Sequence, residues 1–214
     1  MKIDIITLFP DMFKGPFDAS IIKRAESKKL IEVKVHNLRD WGETDRKNVD
    51  DRPYGGGVGM VLRVDIIDKA LKAIKKKGSK VILLDATGER FTQAKAKKLS
   101  KEKHLILIAG HYEGVDHRVH EHLADEVISI GDYVLTGGEI PAMVLTDSII
   151  RLIPGVLGKD ESSVEESHKE PGYLEYPQYT RPEVYKAGVG KKWNVPKVLL
   201  SGNHKDIDEW RRSK

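Results

Sequence analysis

Apolar runs typical of strands alternate along this chain with amphipathic stretches typical of helices, and this alternation constrains the fold more than any other feature. Some of the runs are almost continuously apolar, as in KVILLDATG and HLILIAG. Such runs suit parallel strands that are covered on both faces. The pattern therefore predicts an α/β fold with a mainly parallel sheet and helices on both faces. Strands are expected near residues 2–9, 31–38, 80–88, 104–110 and 126–135, and helices near 18–29, 64–78, 91–100, 115–123 and 140–153.

Three of the predicted strands end in a glycine-containing turn. These ends are LLDATG at residues 83–88, IAGHYEG at 108–114 and ISIGDY at 128–133. Ligands of open α/β sheets bind beyond the carboxyl ends of the strands. The convergence of three such ends indicates a ligand site at that edge of the sheet.

The third of these ends continues into VISIGDYVLTGGE, residues 127–139, where Gly137 and Gly138 open a predicted helix. Glycine lets a ligand approach the backbone closely, and amides at a helix start can bind its polar edge. The spacing matches neither of the glycine fingerprints for dinucleotides or triphosphates, so a site for either is poorly supported. A purely structural turn from strand to helix remains the alternative.

The helix that follows has a start signal and a charged end. Thr136 and Glu139 stand in Ser/Thr-x-x-Glu order and are expected to cap each other's amides, with Pro141 in the first turn. Arg151 follows Asp147 by four residues on the same helical face. The two can form an intrahelical ion pair, or Arg151 can stabilise negative charge that develops on a substrate. This helix would link the glycine turn and Arg151 along one rigid element.

A polar segment at residues 39–60 contains DDRPYGGGVGM, with four glycines in five positions. Such a loop can wrap a planar base, with an aromatic or guanidinium group stacking and backbone amides donating hydrogen bonds. A plain glycine-rich turn would need fewer glycines. The candidate substrate-binding residues are Asp50, Arg52, Tyr54, Gly55, Gly56, Gly57 and Gly59.

Residues 157–175 are acidic and poor in apolar side chains, which is typical of a mobile connector or lid. Glu165 and Glu166 within it could supply a general base, although carboxylates in such runs are usually just solvated. Elsewhere, His117, His120 and His122 do not share one helical face, and this argues against a zinc site. The neighbouring His-Tyr-Glu at 111–113 is better placed, at a strand end, for ligand or ion contact.

Composition limits the remaining possibilities. The 214 residues, 39% of them hydrophobic, can build a substantial core, and there is no cysteine for a disulfide or thiolate site. No apolar run is long enough to span a membrane and no signal peptide is evident, so we expect a cytoplasmic protein without a membrane partner. Residues 185–214 carry eight Lys/Arg against three acidic residues, which suits a phosphate backbone or simply a solvated tail.

Several long strings of this chain occur in the order of one known family. They are ITLFP, DDRPYGGGVGM, AGHYEGVD, SIGDYVLTGGE, RLIPGVLG, YPQYTRPEV and VLLSGNH, and the match continues to about Trp210. Together they resemble the bacterial tRNA (guanine-N1)-methyltransferase family of the knotted, SPOUT-type superfamily. The resemblance implies a homodimer with active sites between subunits. It also implies that the C-terminal half of the fold forms a deep trefoil knot, which the pattern alone would not predict.

The implied activity is transfer of a methyl group from S-adenosylmethionine to N1 of the guanosine at tRNA position 37, immediately 3′ of the anticodon. By match to the family, Glu113 is the candidate ligand for a magnesium ion. The three glycine-containing strand ends would hold the cofactor. The cofactor-binding positions implied are Leu84, Gly110, Tyr112, Ile130, Gly131, Asp132, Tyr133, Val134, Leu135, Gly137 and Gly138.

The resemblance also assigns catalytic roles. Guanine N1 bears a proton that must leave, and the family uses an aspartate in a Glu-Asp-Ser string as its base; here the string is Glu165-Glu166-Ser167, so Glu166 holds that position. Arg151 would stabilise negative charge towards O6. A further departure is His111, where an arginine is common.

The resemblance divides the chain into residues 1–156, a knotted cofactor-binding domain; 157–175, an acidic flexible linker or lid; and 176–214, the start of a C-terminal tRNA-binding region. Family members usually continue into a helical domain, so this chain is expected to be a shortened form. The alternative function is a catalytically weak tRNA-binding module of the same fold. It predicts salt-dependent tRNA affinity without turnover.

Overall fold

The computed structural model describes residues 1–158, 166–168, 170 and 172–213. The chain forms two compact units, residues 1–163 and 164–214. The first unit contains β1 (Lys2–Thr7), α1 (Ser20–Ser27), β2 (Glu32–Asn37), β3 (Asp50–Asp51), β4 (Val61–Leu62), α2 (Val64–Ile74), β5 (Ser79–Arg90), α3 (Gln93–Leu99), β6 (His104–Ala109), α4 (Arg118–His122), β7 (Glu126–Ser129) and α5 (Glu139–Ile150).

The centre of the first unit is a five-stranded sheet in the order β2-β1-β6-β5-β7, in which every neighbouring pair is parallel. Side chains alternate between its two faces, so that Leu105 and Leu107 enter one buried layer while Ile106 and Ile108 enter the other. Helices α1, α3 and α5 cover the first face, and α2 and α4 cover the second. The predicted α/β class with a mainly parallel, doubly covered sheet is confirmed.

The edge pairing of β5 with β7 is interrupted. Ile128 of β7 pairs first with Leu84 and again with Glu89, so the intervening residues 85–88 leave the ladder. A Cβ atom on Gly88 would lie 2.6 Å from the backbone nitrogen of Ile128. Glycine is therefore required for β5 to pass this close to β7 and rejoin it.

The prediction that Thr136 and Glu139 cap the start of α5 is wrong. Gly138 occupies the N-cap and there is no side-chain cap. Glu139 is instead 1% exposed, and its carboxylate accepts a hydrogen bond from Thr7 Oγ1 at 2.8 Å. A long-range contact to β1 thus outcompetes the local one, while Pro141 lies in the first turn as predicted.

The second unit contains a two-stranded antiparallel hairpin, β8 (Val184–Gly188) with β9 (Lys191–Asn194), followed by α6 (Lys197–Leu200) and α7 (His204–Arg212). The guanidinium of Arg211 on α7 lies 4.7 Å from the centre of the Tyr176 ring. This geometry is typical of a cation–π contact. Throughout the part of the chain that the structure describes, no helix has the length and apolar character needed to cross a membrane.

One buried carboxylate links three neighbouring strands of the main sheet. Asp4 on β1 is fully buried and lies 2.7 Å from His36 Nε2 on β2, 2.6 Å from His104 Nε2 on β6 and 2.6 Å from Lys2 Nζ. Burial opposes ionisation, but the hydrogen bonds from His36, Lys2 and His104 outweigh it and hold the pKa of Asp4 below its ordinary value.

We expect Asp4→Asn to lower the free energy of unfolding at pH 7 by about 2 kcal/mol, because hydrogen bonds to a charged group are lost. Since the folded pKa lies below the unfolded one, this contribution is fully present above about pH 5 and is lost as the pH falls through the folded value. Urea unfolding of both proteins across the acidic and neutral range measures it. Asp11→Asn, an exposed carboxylate, is the control and should change stability by less than about 0.5 kcal/mol; a pH-independent loss for Asp4→Asn would contradict the assignment.

Candidate active site

A cleft lies at the carboxyl edge of the sheet, where the sequence predicted a ligand site. It encloses about 80 Å³, so anything larger than a few water molecules must extend through its mouth. Eight of the eleven predicted cofactor-binding residues line it: Leu84, Ile130, Gly131, Tyr133, Val134, Leu135, Gly137 and Gly138. The other lining residues, which the sequence did not single out, are Asp85, Ala86, Ile128, Ser129 and Pro141.

The back of the cleft is closed by a backbone contact between two loops. The amide of Gly138 donates to the carbonyl of Gly110 at 2.7 Å, and a Cβ on Gly138 would lie 2.7 Å from Ala109 Cα. Gly137 forms a bridge with His111, and a Cβ there would collide with His111 and Glu139. Gly110 therefore supports the wall rather than lining the cleft. A side chain at 138 would require the backbone to move, and one at 137 would displace the His111 and Glu139 side chains.

Two other predicted cofactor contacts lie outside the lining. Tyr112 has a positive φ of 62°, and its hydroxyl accepts a hydrogen bond from Arg39 Nη2 at 3.3 Å. Asp132 points into solvent, with Arg90 Nη2 3.4 Å from its Oδ2. An exposed ion pair of this kind contributes little to stability, so the side chains of Asp132 and Arg90 remain available to a ligand.

Asp85 supplies the carboxylate on the cleft wall. Its Oδ1 accepts hydrogen bonds from the Thr87 amide at 2.8 Å and the Thr87 hydroxyl at 2.7 Å, and Oδ2 lies 3.4 Å from His120 Nε2. Burial opposes ionisation, but the Thr87 hydrogen bonds and His120 outweigh it and lower the pKa of Asp85. The cleft therefore presents a negative charge suited to a cationic ligand. The string LLDATG at a strand end was the only sequence signal for this residue.

The predicted base-binding loop, residues 52–60 between β3 and β4, adjoins the loop that follows β6, residues 110–114. Strands β3 and β4 form a short antiparallel ribbon that places Asp50 opposite Leu62 and brackets the loop between them. Tyr54 is 100% exposed, and the amide of Arg52 donates to Asp51 Oδ1 at 2.8 Å. The four predicted loop glycines all have positive φ, at Gly55, Gly56, Gly57 and Gly59. The loop thus has the conformation that only glycine adopts cheaply, with its tyrosine free to stack.

Glu113 is the point at which that loop meets the β6 loop. Its amide donates to the Met60 carbonyl at 3.1 Å, and its side chain occupies the space that a Cβ on Gly59 would take. The structure therefore brings the predicted magnesium ligand against the predicted guanine loop. Glu113 is a single carboxylate, and Mg²⁺ is often bound by one or two carboxylates with water and substrate oxygens.

Among the described residues, no group of three or more His, Asp or Glu side chains is arranged to hold a metal ion. His120 faces Asp85 and stacks on His117 with ring centres 4.9 Å apart, whereas His122 lies beside Glu121.

Neither of the two predicted catalytic residues is among the residues that line the cleft. Arg151 follows the last turn of α5, and its amide donates to the Asp147 carbonyl at 3.3 Å. Helix α5 has 12 residues, so at 1.5 Å per residue Arg151 lies about 18 Å along the axis from the cleft end. Glu166 belongs to the second unit, and its neighbour Glu165 lies outside the described residues.

Comparison with known proteins decides between the alternatives that the geometry leaves open. The family model described as tRNA (Guanine-1)-methyltransferase TrmD matches residues 1–214. The chain belongs to this family. A relative named tRNA (guanine-N(1)-)-methyltransferase from Dictyoglomus turgidum is 57% identical over 99% of this chain and 84% of its own length. Relatives of the same name are 52% identical in Dehalococcoides mccartyi and 54% in Bacillus cereus, covering 99% of this chain and 84% and 85% of theirs.

Gly138→Ala tests whether the close contact of the loops forms the cleft. The added Cβ meets backbone atoms of Ala109 and Gly110 that cannot rotate away, so we expect at least a tenfold loss of affinity for S-adenosylmethionine in calorimetric titration. The matched control is Gly158→Ala, where a Cβ meets nothing within 4 Å. Unchanged affinity in Gly138→Ala, with the thermal midpoint also unchanged, would contradict this account of the cleft.

Proposed function

We propose that this chain transfers the methyl group of S-adenosylmethionine to N1 of a guanosine in tRNA, the guanosine at position 37 beside the anticodon. The observation that carries the proposal is the cleft at the carboxyl edge of the sheet, in a chain that matches the methyltransferase family along its whole length. Relatives named for this activity do not favour the alternative of a tRNA-binding module without turnover.

The lining of the cleft suits the proposed cofactor in its charge and in the polar and apolar groups that it presents. S-adenosylmethionine supplies an electrophilic methyl group on a cationic sulfonium and carries no phosphate. Backbone groups around Gly131 and Gly137 can bind its adenine edge, and apolar side chains such as Val134 and Leu135 can cover the ring. Asp85 offers its carboxylate to a positively charged part of the molecule. The absence of a phosphate fingerprint from the sequence agrees with this ligand.

The proposed catalytic groups answer the two needs of the reaction at guanine. When N1 attacks the methyl carbon its proton must leave, and Glu166 accepts that proton as general base. Negative charge moves towards O6 as the proton departs, and the Arg151 guanidinium stabilises it. The base-binding loop, with exposed Tyr54, holds the ring in place by stacking. Glu113, beside that loop, would bind magnesium together with substrate oxygens.

We infer that each active site uses residues of two chains. Arg151 is too far along α5 to reach a methyl group held in the cleft of its own chain. Ile140 and Val144 on α5, and Met12 on the turn packed against it, are exposed apolar side chains. If two chains pair through this surface with their α5 helices antiparallel, Arg151 of one lies near the cleft of the other. This supports a homodimer with its active sites at the interface.

The proposed domain organisation follows from the same family. Residues 1–156 would form the cofactor domain, 157–175, of which 159–165, 169 and 171 lie outside the described residues, would act as a lid that carries Glu166, and 176–214 would belong to the tRNA-binding region. We propose a trefoil knot in the C-terminal half of the cofactor domain. Two features support it: the bridge between His111 and Gly137, and the segment of residues 85–88 that loops out where β5 pairs twice with Ile128.

Substitution of the proposed base and the proposed arginine separates chemistry from cofactor binding. We expect Glu166→Gln to lower kcat about 100-fold or more and Arg151→Ala to lower it by a similar factor, with S-adenosylmethionine affinity unchanged. Transfer of labelled methyl to a tRNA transcript measures both. Glu166→Asp is the matched control and should retain activity, because the carboxylate is kept. Full activity of Glu166→Gln would contradict the assignment of Glu166 as the general base. A transcript with adenosine in place of the guanosine tests the acceptor and should receive no methyl group.

Complementation between Arg151→Ala and Gly138→Ala, assayed at an S-adenosylmethionine concentration that saturates the wild-type cleft but not the Gly138→Ala cleft, tests whether the sites are shared. Arg151→Ala keeps an intact cleft and Gly138→Ala keeps an intact arginine. A mixed dimer therefore has one complete site if Arg151 acts on the partner's cleft. We expect mixed dimers, purified with two different tags, to recover about half of the wild-type kcat per dimer. Mixed dimers as inactive as both parents would place Arg151 and the cleft in the same chain's site.

A further inference from the structure

The β8–β9 hairpin carries an aromatic pair on its open surface. Tyr185 and Trp193 lie directly opposite each other in the register, with ring centres 5.4 Å apart, and are 52% and 66% exposed. Val189 at the tip of the hairpin is fully exposed as well. Exposed aromatic side chains that are grouped on one surface are typical of interaction sites.

The charged side chains within the hairpin itself are all lysines, and Glu183 immediately precedes β8. From Val184 to Lys205 the chain has five lysines and no Asp or Glu. No ion pair is formed by Lys186, Lys191 or Lys192 within the part of the chain that the structure describes. The hairpin as a whole is therefore better suited to an anionic partner than to a neutral apolar one.

The strand geometry places one lysine beside the rings. Lys191 and Trp193 are two residues apart on β9, so their side chains project from the same face at a spacing of about 7 Å. A nucleotide can thus place its base on the rings and its phosphate near Lys191.

The opposite face of the hairpin shows a second sign of an anionic partner. Lys186 and Lys192 are directly opposite each other in the register. Like charges in that position destabilise a pair of strands. An isolated two-stranded hairpin is marginally stable to begin with. A polyanion that passes the edge of the hairpin would relieve this repulsion.

We propose that the β8–β9 hairpin is an RNA-binding surface on which Tyr185 and Trp193 stack an unpaired base of the tRNA, while Lys186, Lys191 and Lys192 contact its phosphates. The proposal rests on the proposed function for the identity of the RNA. Stacking on aromatic side chains tolerates every base, so the hairpin adds affinity without selecting the methylated guanosine. Sequence selection is left to the base-binding loop and the cleft.

The test compares tRNA affinity among full-length variants by fluorescence anisotropy of a labelled transcript. We expect Trp193→Leu to weaken binding about tenfold and Trp193→Phe to weaken it less, because a ring is kept. Val189→Ala, at the exposed tip of the same hairpin, is the matched control and should have no effect. Lys191→Gln should reduce the salt dependence of the affinity by about one phosphate contact, whereas Lys72→Gln, an exposed lysine on α2, should not.

A second measurement does not depend on Trp193→Leu being well folded. The chain has three tryptophans, so Trp41→Phe with Trp210→Phe leaves Trp193 as the only tryptophan that emits. Stacking of a base on Trp193 should quench its fluorescence at saturating tRNA. Unquenched fluorescence would overturn the proposal, as would unchanged affinity in Trp193→Leu.

Two further outcomes distinguish RNA binding by the hairpin from a protein contact and from methyl transfer itself. If Trp193→Leu alters the sedimentation of the protein alone and leaves RNA affinity intact, the surface binds protein and the proposal fails. If wild-type protein transfers no methyl group to tRNA while Trp193→Leu still loses RNA affinity, the hairpin proposal stands and the proposed function fails. If the wild type transfers methyl groups and Trp193→Leu keeps full RNA affinity, the proposed function stands and the hairpin proposal fails.

Discussion

The approach of two loop backbones behind the cleft is the constraint on which the rest of the first unit depends. The amide of Gly138 lies 2.7 Å from the Gly110 carbonyl, and no residue with a Cβ fits there without displacing Ala109. This contact fixes where α5 begins relative to the end of β6. It also places Glu139 beneath the loops, where Thr7 of β1 donates to its carboxylate. Strand end, loop and helix start are therefore held as one body around the space that a ligand would occupy.

Much of this fold could be predicted from the sequence because its signals are local. Continuous apolar runs fix the doubly covered parallel strands, and the glycines at three strand ends fix the edge where they converge. The features that the sequence did not reveal are long-range. Asp85 becomes notable only when Thr87 and His120 lower its pKa on the wall of a cleft. The local capping rule failed at the start of α5 because the Glu139 carboxylate accepts a buried hydrogen bond from Thr7, 132 residues away in the chain.

The contact between the glycine loop and Glu113 is a feature of the candidate site that depends on the fold and not on either segment alone. The glycine loop, Glu113 and the cleft loops were separate strings in the sequence, and the fold explains why they belong together. Gly59 leaves room for the Glu113 side chain, and the amide of Glu113 binds the Met60 carbonyl. No local pattern could establish that contact, since the two segments are more than fifty residues apart. The contact between these two segments, more than the composition of either one, supports the proposal that a base is held beside the cleft.

The length of α5 then decides how such a site can work. A helix is rigid over 12 residues, so the cleft at its first residue and Arg151 at its end stay about 18 Å apart. A methyl transfer needs the donor, the acceptor nitrogen and the charge-stabilising group within a few ångströms of one another. A single chain cannot meet that requirement with both ends of α5. If Arg151 takes part in the chemistry, the exposed apolar side of the same helix has a reason to be apolar: antiparallel pairing of two chains would bring each arginine to the other's cleft. Dimer formation would then be a condition for catalysis, beyond any contribution it makes to stability.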